Sequence, residues 1–107
     1  MEKIVIYYKP EVEFYINNLI YLLYKDNYFI FLENAIAYKD KIIDFIEDNI
    51  VQFPCRKSSK ELKNFGSHYI FYNSNARTTW YIFFEKMDNQ FLVTFVTNNH
   101  SEEGKFI

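Results

Sequence analysis

Several side chains in the C-terminal half of the chain have the types needed to move protons or hold a phosphate. His100 is the best candidate for an acid or a base, because imidazole is the side chain suited to proton transfer near neutral pH. Arg77 can clamp a phosphate with two parallel N–H donors. Glu85 is a candidate base, and His68 is a second imidazole. Tyr81 offers a ring for stacking and a hydroxyl that can donate a proton. Lys57, Lys60 and Lys63 belong with Arg56 to the one basic run, residues 55–67. Four cations there face only Glu61, a net +3 that leaves −5 for the rest of a chain whose net charge is −2. A charge run between elements is usually a solvated loop. Its contrast with the acidic remainder also makes it the candidate for a phosphate or an acidic partner.

Other chemistry finds little material. One cysteine, Cys55, and two separated histidines give no zinc-ligand spacing, so no metal site is expected. Gly66 and Gly104 are the only glycines, which excludes a glycine-rich phosphate loop, and no cofactor is called for. A sequence pI near 5.6 argues against a general affinity for nucleic acid.

The candidate residues must be positioned by residues 68–100. Three runs of aromatic and β-branched residues, 69–72, 78–84 and 91–97, are separated by polar breaks at 73–76 and 86–90. Such runs read as strands joined by short turns, and consecutive strands with short links pair antiparallel. Alternation then sends Trp80, Ile82 and Phe84 to one face and Tyr81 and Phe83 to the other.

Upstream, residues 3–8 (KIVIYY) read as a first strand stopped by Pro10. Pro10 also suits the first turn of a helix, with Glu11 and Glu13 at the positive end of its dipole. Val12, Tyr15, Ile16, Leu19, Ile20 and Leu23 form its apolar stripe to about Tyr24. Lys25-Asp26-Asn27 is a turn, and a second helix runs from about Tyr28 to Gln52 before Pro54. Its stripe is Leu32, Ala35, Ile36, Ile42, Ile43, Ile46, Ile50 and Phe53, and its charged face reads as solvated surface. The expected fold is therefore one α+β domain over residues 1–107. It has two layers in the order β-α-α-β-β-β, an αα-hairpin packing on one face of an antiparallel sheet. The other face is left open as the working surface.

The chain opens straight into KIVIYY, and no apolar run nears the ~20 residues of a membrane span. The lone cysteine fits a reducing compartment, so a soluble cytoplasmic protein with no membrane partner is expected.

Leu62-Lys63, then Gly66 and Tyr69, resembles the Leu-Arg, Gly, Tyr pattern that leads into the second strand of RelE/ParE toxins. Trp80 to Phe84 resembles that superfamily's Tyr-Arg-Ile/Leu-x-Tyr strand, and Asn98-Asn99-His100 falls where many members place polar or catalytic residues. The element order is similar over essentially the whole chain. The resemblance implies the toxin of a bacterial type II toxin–antitoxin pair, held inactive by a cognate antitoxin. For RelE-like members it implies cleavage of mRNA on the ribosome. His100, Arg77 and Glu85 would then be catalytic, and Tyr81, His68, Lys57, Lys60 and Lys63 would contact substrate. Tyr81 stands where RelE-like nucleases usually carry Arg, and the chain is acidic. Both departures favour the alternative, a non-enzymatic ParE-like inhibitor of DNA gyrase or a protein-binding module. Burial by an antitoxin or in a homodimer would equally account for an aromatic open face.

Overall fold

The computed structural model describes residues 3–25, 32–51, 55–74 and 76–101. Within them lie β1 (Val5–Tyr8), α1 (Pro10–Lys25), α2 (Leu32–Asn49), β2 (Arg56–Lys57), β3 (His68–Asn73), β4 (Thr79–Met87) and β5 (Gln90–Asn98). The expected turn at Asp26-Asn27, the start of the second helix at Tyr28 and its stop at Pro54 lie outside the described residues.

The architecture is α+β, with two helices on one face of a five-stranded sheet of order β1-β5-β4-β3-β2. Val12, Ile16 and Leu19 of α1 and Ile42, Ile46 and Ile50 around α2 are buried, as the 3–4 spacing required. They pack on Ile70, Trp80, Ile82, Phe84, Phe91, Val93 and Val96 of the sheet. Ile36, expected in the stripe of α2, is instead 40% exposed. Tyr38 reaches the sheet from the same helix: its hydroxyl receives the Trp80 indole N–H (2.9 Å) and pairs with the Ser74 hydroxyl (2.7 Å).

Three features depart from the expected sheet. It is mixed, because β1 runs parallel to β5, pairing Val5 with Gln90 through Tyr8 with Val93. The two helices carry the chain away after β1, so its partner is the free edge of the last strand. A short extra strand, β2, pairs Arg56 with Tyr69 and Lys57 with His68. Two charged residues give no apolar pattern, yet a short charged strand is a usual way to end a sheet. Finally, β5 carries a bulge, since Phe83 pairs with Phe95 but Phe84 with Val93. Thr94 is the extra residue, and the shift of phase lets both Val93 and Val96 face the helices. The β4–β5 turn is also tighter than the five-residue break suggested. Met87 pairs with Gln90, and Asp88 takes φ 53°, the positive value that primed hairpin turns need at this position.

The second face is only half open. Leu62 and Phe65 are the two apolar residues of the charged connector, and they fold onto Tyr69, Phe83 and Phe95. Ser58 and Thr94 tie this cover down, their hydroxyls donating to the carbonyls of Gly66 (2.5 Å) and Phe65 (2.5 Å). The expected solvated loop is thus a lid over one half of the sheet, because its two apolar residues gain more by burial than by exposure.

Tyr8, on the helix side of β1, has a buried hydroxyl with no hydrogen-bond partner among the described residues. Burial, helped by the Glu47 carboxylate, pushes its pKa up to about 12. An acid whose folded pKa exceeds its unfolded value of about 10 stabilises the fold fully below that value. The contribution is lost as pH rises through the folded value. Thermal melts should therefore show a decline between pH 10 and 12 that Tyr8→Phe flattens. A decline of equal steepness in the variant would assign it to other groups.

Candidate functional site

The open half of the second face is set by strand alternation. Tyr69, Phe71 and Asn73 of β3 stand opposite Phe83, Tyr81 and Thr79 of β4, in rows that cross the sheet. All of these but Phe83, together with Arg56 from β2, line a cleft of about 250 Å³. The Arg56 guanidinium lies over the Phe71 ring, 5.3 Å from its centroid. Among the described residues no carboxylate neutralises it. Tyr69 meets Tyr81 edge-on, with centroids 6.2 Å apart. The cleft therefore joins a cation to ring faces, hydroxyls and an amide.

The far end of the cleft is closed by hydrogen bonds that lead to Arg77 and His100. The Thr79 hydroxyl donates to Asn73 Oδ1 (2.7 Å), and the Thr79 N–H donates to Asn99 Oδ1 (3.0 Å). Asn99 Nδ2 donates to the Arg77 carbonyl (3.1 Å). His100 Nε2 lies 3.3 Å from Thr78 Oγ1, and the His100 N–H donates to Asn98 Oδ1 (2.8 Å). Both Arg77 and His100 are exposed. The structure thus places these two candidates at one end of the sheet.

Glu85 is elsewhere. It lies six residues past Thr79 on β4, about 20 Å along an extended strand. There its carboxylate accepts the Ser67 N–H (3.1 Å), beside the lid. Alternation keeps it on the second face, but strand length separates it from Arg77 and His100. The three expected catalytic residues do not form one site.

The substrate-contact candidates also divide. Tyr81 lines the cleft. His68 falls on the helix side, its ring stacked on Phe84 at 5.9 Å and its Nδ1 buried without a partner among the described residues. Lys57, paired with His68, is exposed one residue beyond Arg56, where alternation turns it to the other side of the sheet. Lys60 and Lys63 are exposed on the lid. Arg56 is the cleft cation that the sequence reading left among the connector charges. Asn73 and Thr79 were missed too, although their place in the alternation with Phe71 and Tyr81 could have pointed to them.

The lining residues can hold a planar group against a ring and an anion against Arg56. Among the described residues no three His, Cys, Asp or Glu side chains converge as a metal site, and no described helix is long and apolar enough to cross a membrane. Compared with known proteins, the chain matches no family model, no curated protein and no solved structure.

Proposed function

We propose that this chain is the toxin of a type II toxin–antitoxin pair of the RelE/ParE kind, and that it engages single-stranded RNA, ribosome-bound mRNA above all, at the open half of its second face. The observation that carries this reading is the cleft of Arg56, Phe71, Tyr69 and Tyr81. Binding of a single strand calls for a cation that meets phosphate and rings that meet bases. Both stand together here in a chain whose net charge is −2. A cognate antitoxin laid across this face would bury its aromatic surface and silence it. Cleavage further needs charge stabilisation on the phosphorane and proton transfer. Arg56 is the candidate for the first and Tyr81 for the second, while Arg77 and His100 stand at the end of the sheet, outside the lining of the cleft.

Purified protein in a cell-free translation reaction, with mRNA ends mapped by primer extension, is expected to give ribosome-dependent cuts within codons. Arg56→Ala should lower cutting by about 100-fold or more, the usual effect of removing a group that stabilises transition-state charge. Its melting temperature should barely change, because Arg56 is exposed on a two-residue edge strand. His100→Ala should abolish the cuts if His100 moves the proton; cutting at the parent rate removes it from the mechanism.

One observation favours a second, non-enzymatic reading. Among the described residues no histidine or carboxylate lines the cleft, and Glu85 stands at the far end of β4. The same surface would then bind a protein target such as DNA gyrase. Intact mRNA from a folded protein would leave that reading, and a gyrase supercoiling assay would be the next test.

A further inference from the structure

We infer that β1 is an interface, and that its free edge pairs antiparallel with the β1 of a second copy of this chain. The inference is independent of the RNA reading and concerns the edge of the sheet opposite the cleft.

The two edges of the sheet are built differently. One ends in β2, a strand of two cations, the blunted kind of edge that resists further pairing. The other is β1, Val-Ile-Tyr-Tyr, with no charge, proline or bulge within it. The Val5 N–H donates to the Asn89 carbonyl and the Lys9 N–H to the Val93 carbonyl, each at 3.0 Å. In a parallel ladder every second residue turns its backbone to the same neighbour, so Val5, Tyr7 and Lys9 face β5. Ile4, Ile6 and Tyr8 then turn their N–H and C=O groups outward, where no described strand lies. Apolar surface accompanies this row of unmet groups. Ile4 is 41% exposed and Tyr7 51%. On the helix side, a cleft of about 410 Å³ beside the edge has Ile6, Tyr8, Ile16 and Ile43 in its lining.

A second copy fits this edge because the edge is its own complement. With Ile6 opposite Ile6 of the second copy, on a two-fold axis, each gives its N–H to the other's carbonyl. Ile4 then falls opposite Tyr8 of the second copy, and Tyr8 opposite Ile4 of the second copy, so the outward groups of all three residues are met. On the face away from the helices, Val5 lies beside Tyr7 of the second copy, a β-branched and aromatic pair of the kind that stabilises sheets. The pairing stops where Lys3 meets Lys9 of the second copy, just before Pro10 starts α1. Like charges directly opposite work against association. With so short an edge they place the dimer in the weak, concentration-dependent class. The clefts of both copies lie toward the far edges and stay open in one continuous sheet.

Sedimentation equilibrium over a concentration series, with hydrogen exchange at low and high concentration, tests this. The parent is expected to pass from monomer to dimer, and the Ile6 and Tyr8 amides to slow their exchange only in the dimer. Salt should tighten the dimer, because it screens the lysine pairs. Lys3→Glu turns both like-charge pairs into opposite-charge pairs and should tighten the dimer about tenfold. Adding Lys9→Glu makes the pairs alike again and should remove that gain. Tyr7→Lys puts a cation in the middle of the edge, at a half-exposed residue, and should leave a folded monomer. A parent that stays monomeric at every concentration would overturn the inference and leave the edge to a strand of another protein. So would a dimer that Lys3→Glu does not tighten, or in which the Ile6 and Tyr8 amides exchange as fast as in the monomer, because another surface would then hold it. Should Tyr7→Lys fail to fold, the substitutions at Lys3 and Lys9, both exposed, still decide.

Discussion

Phe84→Ala should lose about 3–5 kcal/mol of stability, the largest effect of any single truncation expected here. Phe84 is 1% exposed and lies in the centre of the helix-facing core. Its ring meets Phe91 and His68, each with centroids 5.9 Å apart, so three neighbouring strands share it. Above it, the buried residues of α1 and α2 belong to the same cluster. Removing the ring leaves a cavity that neither layer can collapse to fill. The strands are held by their ladders and the helices by each other. For a domain of this size the loss is a large part of its whole stability. Urea unfolding of parent and variant measures it. A difference below about 1 kcal/mol would mean that the core repacks and that Phe84 is not its centre.

Gly66→Ala is the second, and it acts on the opposite face. A Cβ at Gly66 would lie 2.5 Å from Thr94 Oγ1, 2.9 Å from the Phe83 Cβ and 3.0 Å from the Phe84 backbone nitrogen. Two of these three neighbours cannot turn away, because one is main chain and the other is a β-carbon on a central strand. The lid must lift. With it go the bonds from Ser58 to the Gly66 carbonyl and from Thr94 to the Phe65 carbonyl. Overpacking of this kind costs about 1–3 kcal/mol, so Tm should fall on the order of 10 °C. Hydrogen exchange should localise the change, with faster exchange at the Ser58 and Phe65 amides that the lid now protects. An unchanged Tm together with unchanged protection would show that the lid tolerates a methyl group. It would then not be clamped as the contacts imply.

The first prediction turns on a residue of β4 and the second on Gly66, which abuts β4, and here local pattern and tertiary structure divide the work. The alternation of Trp80, Ile82 and Phe84 with Tyr81 and Phe83 was legible in the sequence, because side chains of an extended strand must point to opposite faces. The apolar spacing of Val12, Ile16 and Leu19, and of Ile42, Ile46 and Ile50, was legible for the same kind of reason. Part of the candidate site was legible too: once Tyr81 is assigned to the face away from the helices, only its neighbours remain to be found.

Those neighbours depended on pairing, and pairing is not local. That Phe71 lies beside Tyr81, and Asn73 beside Thr79, follows from the register of β3 on β4. Arg56 reaches the cleft because β2 adds to the edge of the sheet, a strand too short and too charged to show a period. The direction of β1 was set by which edge remained free, and the bulge at Thr94 by the need to bury Val93 and Val96 on one side. The candidates Arg77, His100 and Glu85 carry the right functional groups by type. Strand length then held Glu85 at one end of β4 and left the other two at the opposite end. The sequence by itself determined the helical stretches, four of the five strands and, apart from Ile36 and the bulged strand β5, which face their residues present, because those follow from the geometry of neighbouring residues. Only the tertiary structure decided which faces meet, which half of the sheet stays open and which side chains share a cleft, because those depend on contacts between residues far apart in the chain.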